Sequence, residues 1–203
     1  MTPPTSRPWP YLVVAVPALA LAAVGVTHPT DLTMSSSAYW RNLHIATLFV
    51  FPLLGISPWL IVRGGARWIS WTAAVLGFAY AALYTALDVL SGIGAGGMEM
   101  ANMTDSADTR VATGTLFHLG TALGALGSYA FIAACAFAGG VAFWRYGWRT
   151  LIGTVIVLGG TVLFLERHIY FPVGVLGQLC LAVGWVAVLV AMRRSGRTSA
   201  TVA

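Results

Sequence analysis

The sequence predicts an all-α integral membrane protein, a bundle of six transmembrane helices with both termini in the cytoplasm (N-in/C-in). Hydrophobic residues make up 58% of the 203 residues and charged residues only 8%, whereas about a quarter of the residues in a soluble domain are charged. The mean hydropathy is +0.82. Because a spanning helix needs roughly 20 apolar residues, the chain has room for about six spans and short loops. We therefore expect a single polytopic membrane domain over residues 1–203.

Apolar runs and the polar breaks between them place the spans. In the first run the small-residue triplet at 18–20 falls inside the apolar stretch rather than after it, so we expect an uncleaved span and not a signal peptide. Pro52 and Pro58 predict kinks in the second span. The long connection 91–110, rich in glycine, methionine and acid, predicts a mobile or ligand-binding loop. The predicted spans cover about residues 10–27, 39–62, 68–90, 113–140, 150–165 and 172–192.

Arginines determine the predicted orientation. All eleven basic residues are arginines, and the six-span arrangement puts eight on one side and three on the other. Because positively charged loops stay in the cytoplasm, both termini are predicted there, in a bacterial-type plasma (inner) membrane. The arginines stand singly or in pairs at span ends, which favours the lipid bilayer as their partner and argues against nucleic acid. The eight are Arg7, Arg63, Arg67, Arg145, Arg149, Arg193, Arg194 and Arg197; the three are Arg41, Arg110 and Arg167.

Histidines and acids gather on the opposite, exterior side. Ionisable groups within spans are costly and usually face the interior of a bundle. Each histidine alone is most simply an ordinary hydrogen-bonded or solvated residue. Acids contribute little to orientation, however, so finding all four histidines and all six acids on one side favours a functional outward-facing site. The candidate ligands among these residues are His28, His44, His118, His168, Asp88 and Glu166.

Two faces of the fourth predicted span indicate different neighbours. Gly120, Gly124 and Gly127 form one stripe, which suits close packing against another helix. His118 shares a different face with Tyr129, eleven residues further on. We therefore expect this span to pack through its glycine face.

Methionines next to this site point to copper. Imidazole suits zinc, copper and iron, whereas a thioether is a soft ligand that selects copper(I). Met98, Met100 and Met103 follow one another in the long exterior connection, where methionine has no core to fill. A site built from these residues and the histidines would give the protein a metal-handling role in a copper pathway.

His44 and His118 also suit a b-type haem. Two imidazoles at similar depth in different spans could supply both axial ligands, as in an electron carrier or a quinone-linked reductase. The sequence contains only this one pair, whereas an electron relay across the membrane would need a second pair near the cytoplasmic side.

Other functions stay open beside metal and haem binding. A proton-coupled small-molecule transporter or a membrane enzyme would use histidine and aspartate as proton carriers. No serine-centred, H-E-x-x-H or phosphate-loop motif accompanies them. An accessory or assembly subunit of a larger membrane complex, or a homo-oligomer, would need no chemistry of its own. Cys135 and Cys180 lack a C-x-x-C partner and are expected to be inert buried thiols.

Overall fold

The computed structural model describes residues 8–101 and 106–201, with side chains described as far as Ser195. Every regular element in these ranges is helical, which confirms the predicted all-α class. The elements are α1 (Trp9–Gly25), α2 (Ser37–Thr47), α3 (Phe51–Leu54), α4 (Ile56–Val62), α5 (Arg67–Leu87), a π-helical turn (Asp88–Gly94), α6 (Ala95–Ala101), α7 (Ala107–Tyr146), a 3-10 turn (Trp148–Thr150), α8 (Leu151–Arg167) and α9 (Val173–Thr201).

Five helical stretches in the described part of the chain are long and apolar enough to cross a membrane. They are Ser37–Val62, Arg67–Ala101, Ala107–Tyr146, Trp148–Arg167 and Val173–Ser195. Helix α1 is equally apolar but shorter, at 17 residues. Helix α7 has 40 residues, which at 1.5 Å per residue is about 60 Å. Because the hydrocarbon core of a bilayer is only about 30 Å thick, some turns of α7 must lie at or beyond the headgroups.

Prolines divide the second predicted span into three short helices. Helix α2 ends at Thr47, three turn residues follow, and α3 and α4 meet at Gly55. Pro52 occupies the first turn of α3, where its missing N–H removes no helical hydrogen bond. Pro58 lies close to the start of α4. The predicted kinks are therefore present, and at both places the helix is interrupted. Helix α2, which carries His44, is consequently a separate helix.

The connection predicted as a loop over 91–110 is helical as far as Ala101 and again from Ala107, so the loop prediction was wrong for those residues. Small residues explain the difference, because they let this segment pack tightly against α2. A Cβ added to Gly96 would lie 3.0 Å from the Cβ of Arg41 and 3.1 Å from Cδ1 of Trp40. Residues 102–105 lie outside the described part. Ser106 caps the start of the next helix, α7, and its hydroxyl accepts a hydrogen bond from the backbone N–H of Thr109.

The glycine stripe of α7 packs against α5 and the π-helical turn, as predicted. A Cβ added to Gly127 would lie 3.2 Å from the Cβ of Leu83. In the same way Gly124 faces Leu87 and Gly120 faces Ser91. Because these glycines have no side chain, α7 can approach close to the backbone of α5.

Helices α8 and α9 meet through two glycine pairs. A Cβ added to Gly160 would lie 2.8 Å from the carbonyl oxygen of Gly177, and one added to Gly153 would lie 2.7 Å from that of Gly184. These contacts are made to backbone atoms, which cannot swing aside as a side chain can. The pairs hold α8 and α9 in one antiparallel register and so position the turn that joins them at 168–172.

Helix α1 lies against α9 and reaches from one end of the bundle to the other. At its start the guanidinium of Arg63 lies 4.2 Å from the centre of the Trp9 ring, and Arg193 donates to the Tyr11 hydroxyl at 3.2 Å. At its finish Gly25 packs against the backbone of Ile169, where a Cβ would collide with the carbonyl group. The end marked by Arg63 and Arg193 is called here the arginine end.

Candidate metal centre

His28, His44 and His168 meet at the end of the bundle opposite to the arginine end. Their ligand nitrogens all lie within 4.8 Å of one another. The three residues come from distant parts of the chain: the turn after α1, helix α2 and the turn after α8. Within the described ranges the group includes no carboxylate or thiol. Three neutral imidazoles therefore form what we call the histidine cluster.

The turn that ends α1 positions His28. Its backbone N–H donates to the carbonyl of Gly25 at 3.4 Å, and Pro29 follows, which disfavours a continued helix. Nδ1 of the His28 ring lies 2.7 Å from the carbonyl oxygen of Pro29. The residue is only 6% exposed. Backbone atoms therefore determine the position of this ring and the direction in which its Nε2 side points.

His44 is held by its own helix and by the π-helical turn. Its Nδ1 lies 2.8 Å from the carbonyl oxygen of Trp40, one turn earlier in α2. The indole N–H of Trp40 in turn donates to the carbonyl of Ser91 at 3.0 Å. Gly92 packs directly on the imidazole, where any side chain would overlap the ring. The ring of His44 is thus fixed by a backbone acceptor on one side and by a glycine on the other.

His168 lies just beyond α8 in a left-handed backbone conformation, with φ +49°. Such angles are uncommon outside glycine, cost about 1 to 3 kcal/mol, and cluster at functional sites. Its Nδ1 lies 2.5 Å from the hydroxyl of Tyr84 on α5. The ring also packs against Phe51, with the two centroids 5.2 Å apart. The fold therefore maintains a strained residue in order to place this imidazole beside the other two.

The hydrogen bonds at Nδ1 make Nε2 the ring nitrogen that each histidine can offer to an ion. A carbonyl oxygen can only accept, so His28 and His44 must carry their protons on Nδ1, which leaves a lone pair on Nε2. His168 adopts the same form when its Nδ1–H donates to Tyr84. Nε2 of His28 and Nε2 of His168 are buried and have no hydrogen-bonding partner among the described residues. Unprotonated imidazole nitrogens with the other ring nitrogen held in this way are the usual arrangement of metal-binding histidines.

The spacing of the histidine cluster is close to that of a metal centre. Bonds of about 2.0 to 2.1 Å from one ion to three nitrogens in tetrahedral geometry place those nitrogens roughly 3.4 Å apart. The most distant pair of these nitrogens, which all lie within 4.8 Å of one another, would therefore need to close by up to about 1.4 Å around an ion. Binding of an ion would therefore require the three side chains to rotate toward one another.

The ring of His28 separates the other two imidazoles. Its centroid lies 5.1 Å from that of His44 and 5.6 Å from that of His168, and both contacts are edge-to-face. The rings of His44 and His168 are nearly parallel, at 4°, with centroids 6.3 Å apart. A haem macrocycle between them would need the space that His28 occupies. The cluster therefore suits a single ion better than a haem.

The other candidate ligands lie outside the histidine cluster. His118, proposed from the sequence as the second haem ligand, is exposed on α7 along with Tyr129. Glu166 is also exposed. On α6, Met98 is 36% exposed and Met100 is half-buried. The remaining methionine, Met103, falls outside the described residues.

Asp88 is fully buried at the start of the π-helical turn. Neither of its carboxyl oxygens has a hydrogen-bonding partner among the described residues. Tyr84 and Tyr80, one and two helical turns earlier on α5, are also buried. Tyr80, Tyr84 and Asp88 therefore form a polar stripe that points into the bundle, and Tyr84 links it to His168.

Sequence reasoning did not foresee which three histidines would meet or what holds them. The missed partners are Trp40 and the backbone carbonyl of Pro29. One available signal was local: His28 and His168 both lie just after the end of a predicted span on the exterior side, and each lies shortly before a proline. Helix ends on one face of a small bundle lie close together. These two histidines were therefore better placed to contact each other than to contact His118.

Burial should make the ion-free protein sensitive to acid. Burial lowers the pKa of His28 below 6.5 and lowers the pKa of His168 well below it. In the unfolded chain both rings would titrate near 6.5, whereas in the folded chain they stay unprotonated to a lower pH. The unfolded state therefore binds more protons below that value, and the free energy of unfolding falls as the pH drops. We expect the melting temperature in detergent, measured without metal, to decrease between about pH 7 and about pH 5. An equal decrease in a His28→Gln, His168→Gly double variant would show that these rings are not the cause.

Comparison with known proteins returned no match: neither a family model, nor a curated protein, nor a solved structure corresponds to this chain.

Proposed function

We propose that this chain is a multi-pass membrane protein that binds one transition-metal ion through His28, His44 and His168. The observation that supports this most is the convergence of three imidazole edges whose Nδ1 atoms are already held by other groups. Three histidines plus one open position form a known catalytic metal geometry. Nε2 of His28 and Nε2 of His168 are buried without a hydrogen-bonding partner among the described residues, and a bound ion would satisfy both.

Copper is the ion we propose. Imidazole ligands suit zinc, copper, iron and nickel, while calcium and magnesium require oxygen ligands, which the cluster lacks. Among these metals copper is bound most strongly by a given nitrogen site. Helix α6, which carries Met98 and Met100, packs beside α2, which carries His44. Soft thioethers therefore lie on the same end of the bundle as the imidazoles, which is consistent with a metal-handling role in a copper pathway.

We infer that α1 is a sixth span and that both termini face the cytoplasm of a bacterial-type plasma membrane. Helix α1 accompanies α9 from the arginine end to the histidine cluster, so it covers the same depth as a helix that is long enough to cross. Arginine-rich loops stay on the cytoplasmic side. The histidine cluster would then face outward. An alkaline phosphatase fused to the C-terminus should be inactive, and full activity of that fusion would exclude this orientation.

Metal analysis of the purified protein tests the proposed function directly. After loading with copper and removal of excess ion, we expect about one copper per chain and a raised melting temperature. A ligand at 100 times its dissociation constant stabilises the folded state by about 2.7 kcal/mol. Zinc should compete with copper at the same stoichiometry, because it would occupy the same three nitrogens. If neither ion is retained or shifts the melting temperature, the histidine cluster is structural and the proposal is wrong.

A further inference from the structure

A cavity of about 300 Å³ adjoins the histidine cluster. We propose that it admits a small amphiphilic anion, such as a short-chain monocarboxylate, whose oxygen takes the open coordination position of the bound ion. This inference rests on the proposed metal site and gives it a ligand class.

The position of the cavity relates it to the coordination sphere. His44 and His168 line the cavity, and His28 does not. An ion held by all three rings would therefore have His28 on one side and the cavity on another. Metal centres with three protein ligands usually keep the fourth position for water or substrate. The cavity supplies the room that such an exchangeable ligand needs.

The walls of the cavity are mainly apolar, with a few hydroxyl groups. Leu87, Phe117 and Phe164 are among the apolar residues of the lining, and Ser91 and Ser128 bring hydroxyls. Small-molecule sites generally have this composition, an apolar lining with few polar groups that fix the orientation of the ligand. The volume is at the small end of their usual range of about 300 to 1,000 Å³. A short apolar chain with one polar end fits these walls.

The mouth of the cavity lies between α7 and α8. Thr121, Glu166 and Arg167 contribute to the lining and are themselves exposed, whereas Gly124 and Ser128 further along α7 are buried. The opening is therefore near the same end of the bundle as the histidine cluster. A molecule that partitions to the membrane surface could enter through this opening. Its apolar part would enter first and would contact the inner walls.

Charge favours an anionic ligand. The three imidazoles are neutral ligands, and Asp88, although buried, is not part of their group. None of these three ligands would offset the charge of a divalent ion, and a charge in largely apolar surroundings is unfavourable unless it is paired. A carboxylate bound to the ion would offset that charge and would place its chain in the cavity.

Ligand exchange on the copper(II)-loaded protein tests this inference. Azide bound to copper(II) gives a visible charge-transfer band, and carboxylates that take the same position should displace it. From acetate to hexanoate we expect the affinity to rise by about fourfold for each added methylene that becomes buried. Ala125→Trp, which fills the cavity from its wall on α7, should weaken hexanoate binding at least tenfold and leave azide binding within about threefold.

Ala122→Trp is the matched control. Ala122 lies one turn earlier on α7, is exposed and does not line the cavity. It should behave as the wild type, which also corrects for uptake of the acids into detergent. Should Ala125→Trp fail to fold, Ser128→Leu narrows the same cavity and carries the same expectation.

Each outcome decides between the alternatives. If copper is retained but neither azide nor any carboxylate changes its spectrum, the coordination sphere is closed; this inference is overturned and the metal site stands. Equal hexanoate affinity in Ala125→Trp and Ala122→Trp would place the chain outside the cavity, with the same consequence. If the wild-type protein retains no copper, the proposed function itself fails and the inference fails with it.

Discussion

Replacing His168 by glycine is expected to weaken copper binding by about 100- to 1,000-fold. Binding free energies of structural zinc, about 10 to 16 kcal/mol, are shared by four ligands, so losing one costs on the order of 3 kcal/mol or more. Glycine is the informative substitution because His168 has a φ of +49°, which glycine adopts without strain. The variant therefore removes the ligand and keeps the turn. Competition titration against a chelator of known affinity measures the loss.

A matched set of variants separates a metal centre from a structural cluster. His44→Ala should lose a similar amount, and His118→Ala, which changes an exposed histidine outside the cluster, should bind copper as the wild type does. Tyr84→Phe removes the oxygen that faces Nδ1 of His168 and should weaken binding by about 10- to 100-fold. Unchanged affinity in both His168→Gly and His44→Ala would rule out the histidine cluster as the copper site.

Placing a leucine at Gly160 should destabilise the bundle severely. A Cβ there would lie 2.8 Å from the carbonyl oxygen of Gly177 and 3.1 Å from the backbone nitrogen of Leu181. Both are backbone atoms of α9, so the two helices would have to move apart. Overpacking of a close interface typically costs about 1 to 3 kcal/mol and sometimes more. We expect a markedly lower melting temperature in detergent, and weaker copper binding because α8 and α9 together position His168.

Gly159→Leu provides the control for that prediction. Gly159 is the preceding residue in α8, and a Cβ added to it would meet nothing within 4 Å. The two variants share the same change in helix propensity and in hydrophobicity, so a difference between them reports the helix contact alone. Equal melting temperatures for Gly160→Leu and Gly159→Leu would contradict the packing described for α8 and α9.

Composition and spacing were sufficient to predict the helices and several of their faces. Long apolar runs allow no other structure in a bilayer, since backbone groups there must be satisfied within the segment. The glycine stripe of α7, with Gly124 at its middle, follows from small residues repeating on one helix face. The loop predicted over 91–110 was wrong as far as Ala101, because Gly96 and its neighbours pack on α2 and make helix the favoured conformation.

The sequence by itself determined a helical membrane chain whose histidines and acids are separated from most of its arginines, because hydropathy and charge act locally along the chain. Only the tertiary structure decided that His28, His44 and His168 meet while His118 remains exposed on α7. That choice depends on how each helix is rotated and on where α1 and α8 end. These are set by glycine contacts such as that of Gly92 with the His44 ring, and by the left-handed turn at His168.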